Sequence, residues 1–221
     1  MSNRRRPRIL ESALAEGVWA FRPPPAVAVR TALWFLVVAV LVSLLYATAH
    51  RVTLKPADPL TSYLWTAMLA SAATAVLATL AAFELGQRER STWWVLLPMP
   101  ALGLWFAATG VGCVDTLFAP DSWGIVRSEA LRCLMFIVAV SLPLSAALLA
   151  LVGWAAPPRP GLVGAVGGLA IAAAAVSLLT LVHPHNSALL DMVAHGAGVA
   201  AVVSVNLILA GPAARHRTVD A

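Results

Sequence analysis

Six long apolar segments, separated by short polar stretches, dominate the pattern of this chain. Each has roughly the 20 mostly apolar residues that a helix needs to cross a bilayer, and none contains Asp, Glu, Lys or Arg. Because lipid offers backbone N–H and C=O groups no partner, such runs must be helical. The pattern therefore predicts an all-α integral membrane protein with six transmembrane helices. The segments are Thr31–Ala49, Leu60–Phe83, Ser91–Val114, Cys133–Pro157, Pro160–Val182 and Gly196–Ala214.

The apolar segments divide the chain into an N-terminal segment of residues 1–30, a membrane domain of residues 31–211 and a tail of residues 212–221. Within the N-terminal segment, apolar residues recur at helical spacing with polar residues between them, and the prolines at 23–25 then end the pattern. We expect a short amphipathic helix that either docks in a partner's groove or lies on anionic lipid headgroups. Its apolar residues are Leu10, Leu14, Gly17 or Val18, and Phe21.

Small residues in the last two apolar segments predict how these helices pack. The fifth segment contains Gly161, Gly164, Gly167 and Gly168, followed by several alanines, and Gly196 and Gly198 open the sixth. Small side chains let two helix backbones approach closely within a membrane. We therefore expect a tightly packed hairpin of the fifth and sixth helices.

Composition and charge support a membrane location and give it an orientation. Of the 221 residues, 60% are hydrophobic and only 11% are charged, against about 25% charged in a soluble domain. With both termini in the cytoplasm, eleven of the fifteen basic residues lie inside, and only Arg51, Lys55, Arg127 and Arg132 lie outside. This agrees with the positive-inside rule. The basic residues are scattered over short loops, so they indicate topology rather than direct binding of nucleic acid.

Ionisable residues gather just before the last apolar segment, at His183, His185, Asp191 and His195. Such residues are costly at membrane depth and usually have a function or a partner. Imidazoles and a carboxylate suit zinc or a similar divalent ion. Asp191 and His195 are four residues apart and share one helix face. A divalent metal site at the outer, periplasmic face is therefore one interpretation of this cluster.

A purely structural interpretation of the same residues is also open. Asn186 or Ser187 would cap the sixth helix, Asp191 would be favoured near the positive end of its dipole, and His195 would pair with Asp191. The two cysteines also allow two interpretations. Cys113 and Cys133 would form a disulfide if their Cα atoms lie within about 7 Å, and would otherwise remain separate thiols.

Nothing in the chain resembles a phosphate-binding loop, a nucleophile elbow or a zinc-protease helix. The loops are too short for a soluble catalytic domain, so we expect a protein that is not an enzyme and has no resident cofactor. Two other classes remain as alternatives. One is a small transporter or metal and proton relay that uses Asp191 and His195, and the other is a membrane enzyme with a His/Asp metal site.

Several stretches carry a resemblance to a known family. They are Ser128-Glu129-Ala130-Leu131-Arg132-Cys133-Leu134, the turn Ala156-Pro157-Pro158-Arg159-Pro160-Gly161, Leu181-Val182-His183, and Arg22-Pro23-Pro24 followed by Arg30 and Trp34. With the order and spacing of the apolar segments, these stretches resemble the NrsF-type (negative regulator of sigma F) membrane anti-sigma factors of proteobacteria. The resemblance covers most of the chain.

The resemblance implies a multi-pass protein of the bacterial inner membrane. Such a protein holds an extracytoplasmic-function sigma factor at the cytoplasmic face and releases it on an envelope, metal or oxidative stress signal. Sigma binding then maps onto the N-terminal segment, and we expect it to involve Leu10, Leu14, Val18, Phe21 and Arg22. The expected partners are the sigma factor and the lipid bilayer.

The resemblance also implies sensing by a pair of cysteines. The first maps onto Cys133, whereas the second follows a histidine just before the last span, and here Pro184 follows His183. The second cysteine is thus absent from its family position. Either Cys113 takes its place, or the histidines sense the signal, or the signal is of another kind. The candidates for sensing are Cys133, Cys113 and His183.

Overall fold

The computed structural model describes residues 25–49, 62–117, 126–153, 157–182 and 189–219. Within these ranges all regular structure is helical, with six long helices and one short 3-10 helix. All six are long and apolar enough to cross a membrane. For the described residues, the prediction of an all-α chain with six long helices is confirmed. The helices are α1 (Val27–Ala49), α2 (Ser62–Leu85), the 3-10 helix (Thr92–Leu96), α3 (Met99–Leu117), α4 (Val126–Gly153), α5 (Pro160–Val182) and α6 (Leu189–Val219).

The helices do not always end where the apolar segments end. Helix α5 has the predicted bounds, but α1 begins four residues before its apolar segment and so includes Arg30. Helix α4 begins at Val126, and α6 continues to Val219. Hydrogen bonding along the backbone does not stop at the first polar side chain, so hydropathy marks the membrane-compatible part of a helix rather than its full length.

The third apolar segment is broken where a single helix was expected. Its 3-10 helix is capped by Ser91, whose hydroxyl accepts a hydrogen bond of 3.3 Å from the Trp93 N–H. A turn follows at Leu97, and α3 starts at Met99. Pro98 lies at this junction, where its lack of an N–H and its fixed φ favour the first turn of a new helix over the interior of a continuous one.

Helix α5 lies at the centre of the bundle. It packs against α2, α4 and α6, and its alanines from 170 to 175 are all buried. Helix α1 is peripheral, because it makes only small contacts with α2, α4 and α5. Large apolar side chains on the outer helices are more than half exposed, as at Leu36, Leu142 and Ile208. A contiguous apolar exterior of this kind is expected of a protein that faces lipid rather than water.

Close approach of α5 to its neighbours depends on glycine. A Cβ on Gly168 would lie 2.8 Å from the Cα of Val203 in α6, and a Cβ on Gly164 would overlap the backbone of Asn206. Gly167 faces α4, where an added Cβ would overlap the side chain of Leu148. The prediction of a tightly packed hairpin between the last two helices is confirmed by these contacts.

Polar contacts between described residues join helices inside the bundle. The hydroxyls of Ser71 in α2 and Ser177 in α5 lie 2.8 Å apart. Asn206 in α6 is fully buried, and its amide donates a hydrogen bond of 2.9 Å to the hydroxyl of Ser145 in α4. Hydrogen bonds between membrane helices add modest stability and fix how the helices are rotated against each other.

The glycine contacts predict opposite effects for the same substitution at two sites. Gly168→Ala should lower the midpoint of thermal unfolding in detergent, because overpacking a tight contact costs about 1–3 kcal/mol. Gly103→Ala in α3 is the matched control, since a Cβ there would meet nothing within 4 Å. It should leave the midpoint unchanged or raise it, because alanine favours a helix over glycine by up to about 1 kcal/mol. Equal midpoints for both variants would contradict this account of α5.

Candidate functional site

One end of the bundle, which we call the proximal end, carries a group of basic residues. It is the end at which α1 begins, α2 ends and α5 begins. Arg30 lies in α1, Arg88 and Arg90 lie in the turn after α2, and Arg159 directly precedes α5. We call the contacting residues at this end the proximal cluster. Its members are Arg30, Phe83, Glu84, Gln87, Arg90 and Trp94.

Arg30 is the unusual member of this cluster, because it is a guanidinium group with only 3% of its surface exposed. Its carbon Cζ lies 5.4 Å from the centre of the Phe83 ring, a cation–π contact. Among the described residues, its Nε has no hydrogen-bond partner. Burying a charge is costly unless the charge is paired, and Glu84 is the carboxylate that acts on Arg30 electrostatically.

Glu84 is held by the turn that follows α2. Its Oε2 lies 2.8 Å from the Nε of Arg90 and accepts a hydrogen bond of 3.3 Å from the amide of Gln87. The guanidinium of Arg90 in turn lies 6.0 Å from the ring centre of Trp94 in the 3-10 helix. The Glu84 carboxylate therefore pairs with Arg90 by direct contact and attracts the charge of Arg30 at longer range.

Gly86 makes room for this arrangement. A Cβ at this position would lie 3.2 Å from the carbonyl oxygen of Phe83 and 3.9 Å from Nη1 of Arg30. A Cβ here would therefore crowd the carbonyl oxygen at the end of α2 and lie in ordinary van der Waals contact with the buried guanidinium. The absence of a side chain lets the chain turn at once and return Arg90 to Glu84.

The cluster also attaches α1 to the rest of the bundle. Trp34, one turn after Arg30, is fully buried and packs edge-on against Phe35 at 5.3 Å between ring centres. Most other large side chains of α1 are exposed or only partly buried. Arg30 and Trp34 are thus the two deeply buried large side chains in the described part of α1. A force on the N-terminal segment would therefore act on α1 close to Arg30 and Trp34.

This site can bind by charge. Arg88, in the turn after α2 that we call the proximal turn, and Arg159, before α5, are exposed, and Arg90 remains about half exposed beside Glu84. Such a surface suits an acidic partner or lipid phosphates. The contacts within the cluster include an ion pair, two cation–π contacts and one amide hydrogen bond.

Most of the side chains singled out by the sequence lie outside the described residues. These are the partner-binding candidates Leu10, Leu14, Val18, Phe21 and Arg22, and the histidines His183 and His185. The backbones of Cys113 in α3 and Asp191 in α6 are described, but their side chains are not. The roles assigned to all of these residues stay predictions.

Cys133 and His195 are the described members of the predicted sensing region. Both lie near the end of the bundle opposite the proximal cluster, which we call the distal end. Cys133 is only 2% exposed, whereas His195 is half-buried. Among the residues that the structure describes, no group of three or more His, Cys, Asp or Glu side chains converges on a common point. The metal site therefore remains a prediction.

The role of Glu84 was not predicted from the sequence. The signal was weak, because Glu84 is simply an acidic residue directly after an apolar segment, and Arg90 lies six residues further on. The electrostatic interaction of Glu84 with Arg30 connects α1 to α2, and hydrophobic periodicity does not predict contacts between helices. The burial of Trp34 was not predicted from the sequence either, because tryptophans at segment ends usually lie at membrane interfaces.

A family model matches nearly the whole chain. The family model NrsF, described as negative regulator of sigma F, matches residues 14–216. The match includes part of the N-terminal segment and all six long helices except the last residues of α6. No curated protein matches the chain, and no solved structure matches it.

The sharing of Glu84 between two arginines predicts a measurable coupling. Glu84→Gln should lower stability by about 1–3 kcal/mol, because it removes the negative charge beside the buried Arg30 and the half-exposed Arg90 and leaves only a neutral amide oxygen as acceptor. In an Arg30→Met background the same change should cost less, with a coupling of about 0.5–3 kcal/mol. Thermal or denaturant unfolding of the four proteins in detergent measures this cycle.

The exposed Glu89 provides the control for this cycle. Glu89→Gln should leave stability nearly unchanged, since surface substitutions away from special contacts stay within about 0.5 kcal/mol. If Glu84→Gln costs the same with and without Arg30, Glu84 is not the counter-charge of Arg30.

Burial of Cys133 predicts that its thiol reacts slowly with water-soluble reagents. With Cys113→Ser leaving Cys133 as the one thiol of the chain, a water-soluble maleimide should modify the folded protein slowly and the denatured protein rapidly. The control places one cysteine at an exposed site of the proximal turn by Arg88→Cys in a Cys113→Ser, Cys133→Ser background. Labelling of Cys133 at the rate of that control would show that the α4 packing described here does not shield it.

Proposed function

Because the chain belongs to the NrsF family of negative regulators of sigma F, we propose that it is a membrane-embedded anti-sigma factor. It sequesters an extracytoplasmic-function sigma factor at the cytoplasmic face of the bacterial inner membrane. A stress signal of envelope, metal or oxidative origin releases the sigma factor. In this role the protein performs no catalysis.

The observation that carries this proposal is the extent of the family match. It runs from residue 14 to residue 216, so it takes in part of the hydrophilic N-terminal segment as well as the helices. A match confined to the apolar helices would support only a shared membrane scaffold. The length of the match supports a regulator in which a hydrophilic segment and a helix bundle belong together.

Sigma binding is assigned to the N-terminal segment and to the exposed residues of the proximal end beside it, which we call the proximal surface. Helix α1 begins at Val27, so the segment joins the bundle at the proximal end, next to the proximal cluster. An apolar face built from Leu10, Leu14, Val18 and Phe21, with Arg22 beside it, would dock in a groove of the sigma factor. Arginines of the proximal surface would add electrostatic attraction for acidic residues of the partner. They are Arg88, Arg90 and Arg159.

Charge asymmetry supports a cytoplasmic position for the proximal end. The basic residues described at this end are the ones that an orientation with both termini inside places in the cytoplasm. A sigma factor acts in the cytoplasm, so its binding surface must lie on that side. The inner membrane is the bacterial membrane that has this face.

The distal end would receive the signal. Cys133, Cys113 and His183 are the candidates for sensing, and a divalent metal at His183, His185, Asp191 and His195 is the alternative. To release the sigma factor, a signal must bind or modify the released state in preference to the holding state. Helix α4 carries Cys133 and packs on α5 and α6, so a change in its packing would reach the centre of the bundle.

A small transporter or a metal and proton relay has less support. A relay needs ionisable or free polar groups along a path through the membrane. The buried hydroxyls of Thr74 and Thr79 instead donate to carbonyl oxygens of their own helix at 2.8 and 2.7 Å, and the hydroxyl of Ser177 does the same at 2.8 Å. Of the buried polar residues in the described ranges, only Arg30 carries a charge.

Substitutions on the apolar face of the N-terminal segment test the proposal. The full chain is co-expressed with each extracytoplasmic-function sigma factor of its source bacterium in turn and purified in detergent. We expect one of these sigma factors to co-purify with the intact chain. Leu14→Asp should weaken this binding by 2 kcal/mol or more, the cost of losing an interface anchor, or about 30-fold in Kd.

Ser12→Asp is the matched control, because it adds the same charge off the apolar line of the segment. It should change the affinity far less than Leu14→Asp. The proposal fails if none of the sigma factors co-purifies with the intact chain. It also fails in its assignment of the binding face if both aspartate variants bind equally well.

A further inference from the structure

A cavity of about 280 Å³ lies between α2, α3, α5 and α6. Its wall includes Thr74 of α2, Trp105 of α3, Ala173 of α5, and Gly196 and Val203 of α6. All of its lining residues fall within the candidate membrane spans. In the membrane orientation proposed above the cavity lies at membrane depth, and none of its lining residues belongs to the proximal cluster.

The wall of the cavity is suited to hydrocarbon. Two hydroxyls reach it, and both are already engaged. Ser71 donates to the carbonyl oxygen of Met68 at 2.9 Å and contacts the hydroxyl of Ser177 at 2.8 Å, while Thr74 donates to the carbonyl oxygen of Ala70 at 2.8 Å. The other lining residues are aliphatic or aromatic, and the indole N–H of Trp105 is the one further polar side-chain group among them. A polar ligand would find no uncommitted hydroxyl proton here, so an apolar ligand fits better.

The cavity is open towards the outside of the bundle between α3 and α6. These two helices make only a small direct contact. Phe106 of α3 and Ala200 of α6 line the cavity and are also exposed, so they form its rim. The rim lies on the same apolar exterior that faces lipid, and the cavity is continuous with that surface.

We propose that the acyl chain of a membrane phospholipid enters this opening and occupies the cavity. An apolar cavity of about 150 Å³ is already large enough to bind benzene, and this one is nearly twice that size. A void forfeits dispersion contacts on the atoms that line it, and an acyl chain restores them without leaving the hydrocarbon phase. The occupant thus comes from the lipid that surrounds the bundle, and no solvent-borne ligand is required.

An acyl chain in this position would contact both central and peripheral helices. Leu169, Ala173 and Val176 of α5 line the cavity and are each less than 10% exposed. Gly196, directly after His195, lines it on α6. Bound lipid would therefore contribute to the packing between the predicted sensing region and the core of the bundle.

Photo-crosslinking tests the proposal on the full chain. The protein is reconstituted into phosphatidylcholine vesicles containing a small fraction of phosphatidylcholine with a diazirine in the middle of one acyl chain. After irradiation, adducts are mapped by mass spectrometry. We expect adducts on Leu169, Ala173 and Val176, as well as on the lipid-facing residues Leu142 and Ile208. The buried α5 residues can be reached only by a chain inside the cavity.

A cavity-filling variant and a matched control sharpen the result. A Cβ on Gly196 would meet nothing within 4 Å, so Gly196→Phe should place its ring in the cavity and abolish the α5 adducts. Gly103 of α3 is equally unobstructed but does not line the cavity, so Gly103→Phe should keep them. Ala200→Phe at the rim is a second blocking variant if Gly196→Phe does not fold.

The wild-type result is decisive even without the variants. Adducts on Leu142 and Ile208 with none on α5 would overturn the proposal, and so would α5 adducts that persist in both blocking variants. The inference rests on the membrane insertion proposed above and not on sigma binding. Adducts on Leu142 and Ile208 report insertion independently, so failure of the cavity proposal is distinguishable from failure of the membrane assignment.

Discussion

The close approach of α5 to its neighbours is the contact on which the rest of the bundle depends. Within lipid there is little hydrophobic gain from bringing two helices together, so packing quality and small residues determine association. Gly164, Gly167 and Gly168 let α5 lie directly against α4 and α6. With α5 in the centre, its contacts position α2, α4 and α6, and these in turn carry α1 and α3 at the periphery.

The peripheral helix α1 has a special place in this arrangement, because the hydrophilic N-terminal segment precedes it. Its deep contacts are concentrated at the proximal end, where Arg30 lies over Phe83 and Trp34 is buried. The carboxylate of Glu84 contacts Arg90 directly and acts on Arg30 at longer range, so it links the charge in α1 to the charge in the turn after α2. Partly buried residues farther along α1 also pack against the core, but the two deeply buried side chains lie nearest the N-terminal segment, where a change in the bundle would reach that segment first.

The sequence predicted those features that the membrane environment enforces. Long uncharged apolar segments have to be helices in lipid, and the glycines of the fifth segment indicated its tight pairing with the sixth. Contacts between distant parts of the chain could not be predicted from the sequence pattern. The contact of Arg30 with Phe83 joins two helices, and the break at Pro98 depends on local turn geometry inside an otherwise apolar run. The cavity beside Trp105 is formed by four helices together, so no local sequence pattern predicts it.

The central claim is that this chain holds a sigma factor at a membrane through its N-terminal segment. The most direct measurement is the distribution of the co-purifying sigma factor between membrane and soluble fractions of cells. Cells would contain either the full chain or a variant without residues 1–24, with both proteins verified in the membrane fraction. The account predicts sigma in the membrane fraction with the full chain and in the soluble fraction with the shortened one. A sigma factor that stays soluble in both, or membrane-bound in both, would contradict it.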